Sequence, residues 1–187
     1  HELLAMQHMF RGTSLDVHHT ILPPTSRLKP DPRLLMEASI ELADLPGIRI
    51  LCPGDMVLHS ATHLFHEGEP DNLLRDLTDL DALLRHFGKA DEFWGKLARR
   101  ARQLQLDRPL QLALRYTNQL LDTPVPPGVL KDTQALAAGG VRQRLLDAIY
   151  RRVLLPQHQS TADALSPIAR KLLYIRSHWL KMPPHLL

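Results

Sequence analysis

From Pro32 onward the sequence is cut by short Gly- and Pro-containing breaks into segments whose apolar residues recur every three to four positions, which commits most of the chain to amphipathic helices. The pattern predicts a first helix over 32–44, ended by Leu45-Pro46-Gly47, and a short extended piece, Ile48-Arg49-Ile50-Leu51, ahead of Pro53. Four helices are expected at 53–67, 72–87, 90–105 and 107–122, broken at Gly68-Glu69-Pro70, Gly88 and Asp107-Arg108-Pro109. After Thr123-Pro124-Val125-Pro126-Pro127-Gly128, three more follow near 128–137, 139–154 and 162–180. Connections this short favour antiparallel neighbours, hence a helical bundle.

The opening differs. Residues 3–10 and 15–22 read as two strands joined by Arg11-Gly12-Thr13-Ser14, a Gly-containing hairpin connection. Two strands alone leave one face exposed and both edges unpaired, so partner strands must come from elsewhere. If the second strand is extended, Leu15, Val17, His19 and Ile21 point to one side, while Asp16, His18 and Thr20 share the other. The prolines of the segment 23–32 forbid regular structure, and it reads as a linker. The expected fold is mainly α, a helical bundle (25–187) preceded by a β-hairpin (1–24).

The 187 residues suffice for one domain, or one and a half, with a proper core. A single cysteine, Cys52, excludes a disulfide framework within the chain and fits a reducing compartment, so a cytoplasmic location is expected. Lys+Arg 23 against Asp+Glu 20 leaves +3, and the basic residues are dispersed, so nucleic acid is not indicated as a partner. No apolar run approaches the roughly 18 to 20 residues of a membrane span, and no membrane partner is expected. The chain begins with His1 instead of Met, inside an expected strand, which predicts that residues upstream are missing.

Among eleven histidines, His59, His63 and His66 share one expected helix. Steps of four and seven at about 100° per residue put them within about 60° of arc. Val57, Leu58, Ala61, Leu64 and Phe65 take roughly the opposite side, so the stripe should face solvent, another domain or a cleft. Histidines four apart can hold zinc, but the Glu that follows the first His in helical zinc sites is replaced by Ser60, so Zn²⁺ is not the expected cofactor. On the next helix Leu73, Leu77, Leu80, Leu84 and Phe87 form the core stripe, with Arg75 and Asp79 on the far side, close enough to pair. Asp81 and Arg85 read as solvated, and Lys96, Arg99, Arg100 and Arg102 as an ordinary amphipathic surface. No Gly-rich phosphate loop, nucleophile elbow or credible Cys/His pair is present.

Four segments, in order, resemble the uncharacterised nucleotidyltransferases of the polymerase-beta-like superfamily. They are Leu15-Asp16-Val17-His18, then Leu58-His59-Ser60-Ala61-Thr62-His63, then Arg75-Asp76-Leu77-Thr78-Asp79-Leu80, and finally Tyr174-Ile175-Arg176-Ser177-His178-Trp179-Leu180-Lys181-Met182-Pro183-Pro184. The resemblance spans nearly the whole chain. It implies an α/β domain with three sheet carboxylates, followed by a helical region, so that the hairpin would be the remnant of a nucleotidyltransferase sheet. Two carboxylates come in an Asp-x-Asp element after a Gly-Ser turn, and Asp16 matches the third. The implied chemistry is transfer of an NMP group from an NTP to an unidentified acceptor. Carboxylate-held Mg²⁺ neutralises the triphosphate, and Asp16 serves as metal ligand or as the base that receives the hydroxyl proton.

No Gly-Ser turn and no Asp-x-Asp stands ahead of Asp16, so this stretch by itself is expected to be inactive, with the other carboxylates upstream. His18, His59, His63, Arg75 and Asp79 are expected to bind the phosphates or the acceptor. Two other readings stay open: a non-catalytic helical module that grips a protein or small anion through the same His/Arg face, and a zinc hydrolase on the histidine stripe.

Overall fold

Residues 6–7, 10–15, 17–67, 72–135, 140–156, 158 and 160–182 are described by a computed structural model. Asp16, the expected catalytic and metal-binding carboxylate, lies outside these residues. Alternation at the start of the chain yields a short antiparallel hairpin, β1 (Met6–Gln7) with β2 (Ser14–Leu15), in the register Met6↔Leu15 and Gln7↔Ser14. The second strand does not reach residue 22 as expected. The chain bends over 19–22 because Leu22 is drawn into the interior, and the Thr20 hydroxyl donates to the Leu22 carbonyl at 2.6 Å.

The expected linker is irregular but not free. Ser26 closes a turn onto the Pro23 carbonyl and is buried. Arg27 donates from its backbone N–H to the Leu180 carbonyl and from Nε to that of Trp179, and its guanidinium lies 4.4 Å from the Trp179 ring centroid. Polar anchoring of this kind leaves no apolar periodicity in a sequence, which is why the segment reads as a linker.

The first helix, α1 (Pro32–Ala38), starts with Asp31 accepting from the Arg33 N–H and stops six residues earlier than the 32–44 pattern predicts. Its continuation is a second hairpin, β3 (Ile40–Glu41) with β4 (Arg49–Ile50). The Arg49 guanidinium donates to the Ser39 hydroxyl, and Glu41 accepts from the N–H of Gly47, whose φ of 85° suits the turn. These hydrogen bonds outweigh the weak helical periodicity of 39–44.

The later helices follow in the expected order, α2 (Pro53–Thr62), α3 (Leu73–Phe87), α4 (Asp91–Gln103), α5 (Asp107–Leu121), α6 (Pro127–Ala135), α7 (Val141–Val153) and α8 (Ser166–Lys181), with α2 ending short of the expected 67 and α8 starting at Ser166 instead of 162. Leu73, Leu77, Leu80 and Leu84 of α3 are buried, as are Phe93, Trp94, Leu97 and Ala101 of α4. Phe65, Tyr116 and Tyr150 meet at the centre with ring centroids 4.9 to 5.8 Å apart, the range in which aromatic pairs attract. Packing around α2, from α3, α4 and α5, makes it the axis of the bundle. Gly88 turns α3 into α4 at an ordinary φ of −69°; it is needed because Trp94 lies against it and donates from its indole N–H to the Gly88 carbonyl.

Two surface readings are corrected. Asp81 and Arg85 form an ion pair at 2.8 Å in which Asp81 also accepts from the Thr123 hydroxyl and Arg85 donates to the Leu121 carbonyl, so the pair ties α3 to the end of α5. Arg100 leaves the amphipathic surface of α4 to reach a buried carboxylate on α2. Among the described residues no helix is long and apolar enough to cross a membrane.

Candidate functional site

The helix that carries the histidines is held from below. Pro53 occupies its first turn, where a missing N–H costs nothing, and Asp55 supplies the negative charge that a helix N-terminus favours. Asp55 is 0% exposed and accepts from Arg100 Nε and Nη2, both at 2.7 Å, while the same guanidinium donates to the Leu34 carbonyl. The hydrogen bonds to Asp55 outweigh desolvation and raise the Arg100 pKa further above its ordinary value. Asp55 stands one turn before His59, so this pair, joining α1, α2 and α4, positions the histidine face. Sequence reading missed it; the available signal was a lone carboxylate among the apolar residues at the start of α2.

With Val57, Leu58 and Ala61 turned into the core, His59, Ser60 and His63 are left on the opposite side. The His59 and His63 rings stand 4.5 Å apart, tilted by 59°. His66 does not join them. After Thr62 the helix passes into a π turn, His63–Glu67, which winds less per residue than an α-helix and carries the third histidine inward. His66 is 2% exposed, and its Nε2 lies 2.6 Å from the buried Ser26 hydroxyl. The expected three-histidine stripe is therefore a pair.

Burial of the α3 leucines turns Arg75, Asp76 and Asp79 towards this pair. A cavity of about 350 Å³ between α2 and α3 is lined by His59, Ser60, His63, Asn72, Arg75, Asp76 and Asp79, with Leu64 and Leu73 as its apolar floor. Arg75 does not pair with Asp79 as its spacing suggests. Its Nη2 and Nε donate to the Asp76 carboxylate at 2.9 and 3.1 Å, leaving Asp79 exposed on the rim. A second cavity of about 570 Å³ is lined by His18, His19, Thr20, Ile21 and α1 side chains, and again by His59 and His63. The histidine pair is the wall between the two. The structure thus gathers His18, His59, His63, Arg75 and Asp79 around one polar ridge, and adds Ser60, Asn72, Asp76 and His19, which sequence reading did not select.

Chemically the smaller cavity offers a guanidinium and two imidazoles to an anion, and the Asp79 carboxylate to a donor. It is poorly suited to Mg²⁺, which asks for hard oxygen ligands, because the Asp76 carboxylate is engaged by Arg75. Among the described residues no group of three or more His, Cys, Asp or Glu is placed to hold a metal ion.

Residues 2–122 match the family described as uncharacterised nucleotidyltransferase. The match takes in the hairpin, the histidine helix and the Arg75-Asp79 helix, and stops before α6, so the tail motif of residues 174–184 lies outside it. No curated protein and no solved structure matches the chain. With the match covering well over half of its residues, and both walls of the polar cavity inside the matched region, the chain belongs to this uncharacterised nucleotidyltransferase family.

Proposed function

We propose that the protein transfers an NMP group from an NTP to an acceptor, and that the cavity between α2 and α3 holds the triphosphate or acceptor side of that reaction. The observation that carries this reading is the shared histidine wall. It brings the strand-proximal His18 and the helical Arg75 and Asp79 to opposite sides of one ridge, inside the region that matches the family. In the transfer, an acceptor hydroxyl oxygen bonds to the α-phosphorus, the bond to pyrophosphate breaks, and pyrophosphate leaves with the electron pair. The hydroxyl proton passes to a base.

Arg75, His59 and His63 supply donors to phosphate oxygens, charge-assisted for the guanidinium, and Asp79 accepts from an acceptor hydroxyl. Asp16 is proposed as the base or as a Mg²⁺ ligand. Asp16, with further carboxylates, would hold the Mg²⁺, which would neutralise the triphosphate; the α2–α3 cavity would not hold it.

The test is binding of a non-hydrolysable NTP to the whole protein, with and without Mg²⁺. Arg75→Ala should weaken binding by about tenfold or more, the value of one charge-assisted hydrogen bond, and Asp16→Asn should abolish the Mg²⁺ dependence. NTP affinity that neither change alters, in folded variants, overturns the proposal.

A further inference from the structure

The last helix turns its larger apolar residues outward. Against the bundle α8 buries Ala169, Leu173 and Ser177, only one of which is a large apolar side chain. Leu165, at the N-cap, and Ile168, Leu172, Ile175 and Trp179 are 41 to 54% exposed. A helix whose only partner is its own bundle has the opposite arrangement, with the bulky apolar stripe facing the core. Half-exposed side chains of this size make a patch of a few hundred Å², and a patch that large on a monomer is often an interaction site.

The spacing of the five determines what shape can cover them. Their steps of three, four, three and four are those of heptad positions a and d, the narrow seam into which a second helix packs. A helix lying in a lipid surface presents a broader apolar face. At the far end of the seam the Arg27 guanidinium lies 4.4 Å from the Trp179 ring centroid, so that ring is already held and less ordering remains for binding.

Charge selects the partner. One flank of the seam belongs to the bundle: Ala169 is buried, and Arg176 donates to the Phe65 carbonyl and the Tyr150 hydroxyl. The open flank carries Lys171 and His178. From Ala164 to Met182 there is no Asp or Glu, against four basic residues, Arg170, Lys171, Arg176 and Lys181. α7, which packs along α8, carries four arginines and one carboxylate, Asp147, which Arg115 already holds. A second copy would bring Lys171 against another basic helix, like charge on like. A helix with Asp or Glu beside its own a and d residues matches both the seam and its flank.

We propose that Leu165, Ile168, Leu172, Ile175 and Trp179 form a docking seam for an amphipathic helix of a partner protein, acidic on the flank that meets Lys171. α8 lies outside the family-matched region and lines neither cavity at the histidine wall, so the docking does not rest on the transfer reaction proposed above.

The probe is a fluorescein-labelled synthetic peptide of about four heptads, long enough to form a helix. It carries Leu at a and d and Glu at e and g, and its own charges keep it from pairing with itself. Anisotropy with the whole protein should show saturable binding that weakens as salt rises. The same peptide with Lys in place of Glu should bind at least about tenfold more weakly. Leu172→Gln, at the exposed centre of the seam, should weaken binding of the acidic peptide by about tenfold. Lys171→Glu should narrow the preference between the two peptides, an effect that a folding defect does not mimic. No saturable binding, equal affinity for the two peptides, affinity that Leu172→Gln leaves intact, or a preference that Lys171→Glu leaves unchanged overturns the proposal. Co-sedimentation with phosphatidylcholine–phosphatidylserine vesicles that Leu172→Gln abolishes overturns it too, by making the face a membrane contact. So does a dimer in analytical ultracentrifugation that the same change dissolves.

Discussion

Asp55 and Arg100, 45 residues apart, are joined by two hydrogen bonds of 2.7 Å around a carboxylate that no solvent reaches. Because Asp55 precedes His59 by one helical turn, the pair sets the rotation and depth of the helix that divides the two cavities. Removing one member of a buried pair strands the other charge. Arg100→Met should therefore destabilise the protein by about 3 to 5 kcal/mol in urea unfolding. The double change Asp55→Asn with Arg100→Met should cost less than the sum of the two single changes, since no charge is then stranded. Additive losses would mean that the two side chains act independently.

Asp147 gives the fold an acid-sensitive joint. It accepts from Arg115 at 2.8 and 2.6 Å, from the Tyr116 hydroxyl and from Gln143, linking α5 to α7. Burial pulls its carboxyl upward, but the hydrogen bonds from Arg115, Gln143 and Tyr116 outweigh that, and the folded-state pKa lies below the ordinary carboxylate value. Its contribution is thus fully present above the unfolded pKa of about 3.9, and is lost as pH falls from there through the lower folded value. Asp147→Asn should cost about 2 kcal/mol at pH 7. In paired urea titrations the gap between variant and parent should shrink below about pH 4. A gap that stays constant with pH would exclude this linkage.

Gly88 admits no side chain. A Cβ there would stand 2.5 Å from both the Leu84 carbonyl oxygen and the Trp94 ring. The φ of −69° suits any residue, so Gly88→Ala isolates the crowding. It should cost about 1 to 3 kcal/mol in chemical denaturation, the usual range for overpacking. Trp94 fluorescence should shift as its indole is displaced.

Asp76 competes for Arg75 with any anion that enters the cavity between α2 and α3. The pair is largely exposed, so Asp76→Asn should change stability by less than about 0.5 kcal/mol. With the guanidinium released, NTP binding by the whole protein should tighten. Weaker binding would show that Asp76 itself takes part in holding the ligand.

Ser26 is the hydrogen-bond partner of the buried His66 ring. Ser26→Ala should cost about 1 to 2 kcal/mol in urea unfolding. Proteolysis should then appear first within 23–30, the segment that this contact pins beneath the π turn.

Helix existence and order from Pro53 onward were legible because burial of leucine stripes depends on local spacing alone. A short connection between their helices permitted the histidine and Arg75-Asp79 faces to share a cleft but did not require it. What spacing misjudged were the places where polar groups found distant partners. Arg100 looked like one more basic residue on an amphipathic helix until Asp55 was in place. Asp81 and Arg85 looked solvated until Thr123 and Leu121 arrived from the end of α5. The 39–44 segment had an ambiguous pattern, and the hydrogen bonds of Arg49 and Gly47 decided it.

His66 marks the boundary most sharply. By sequence it belongs with His59 and His63, since seven residues make nearly two full turns of an α-helix. The π turn at His63 changes the winding and carries His66 to Ser26 inside the protein. The chain's own periodicity determined the helices, their order and a polar face made of histidines and an arginine. Only the tertiary structure decided which of those residues meet, because a hydrogen bond between groups far apart in the chain leaves no period in the sequence and can still override the period that is there.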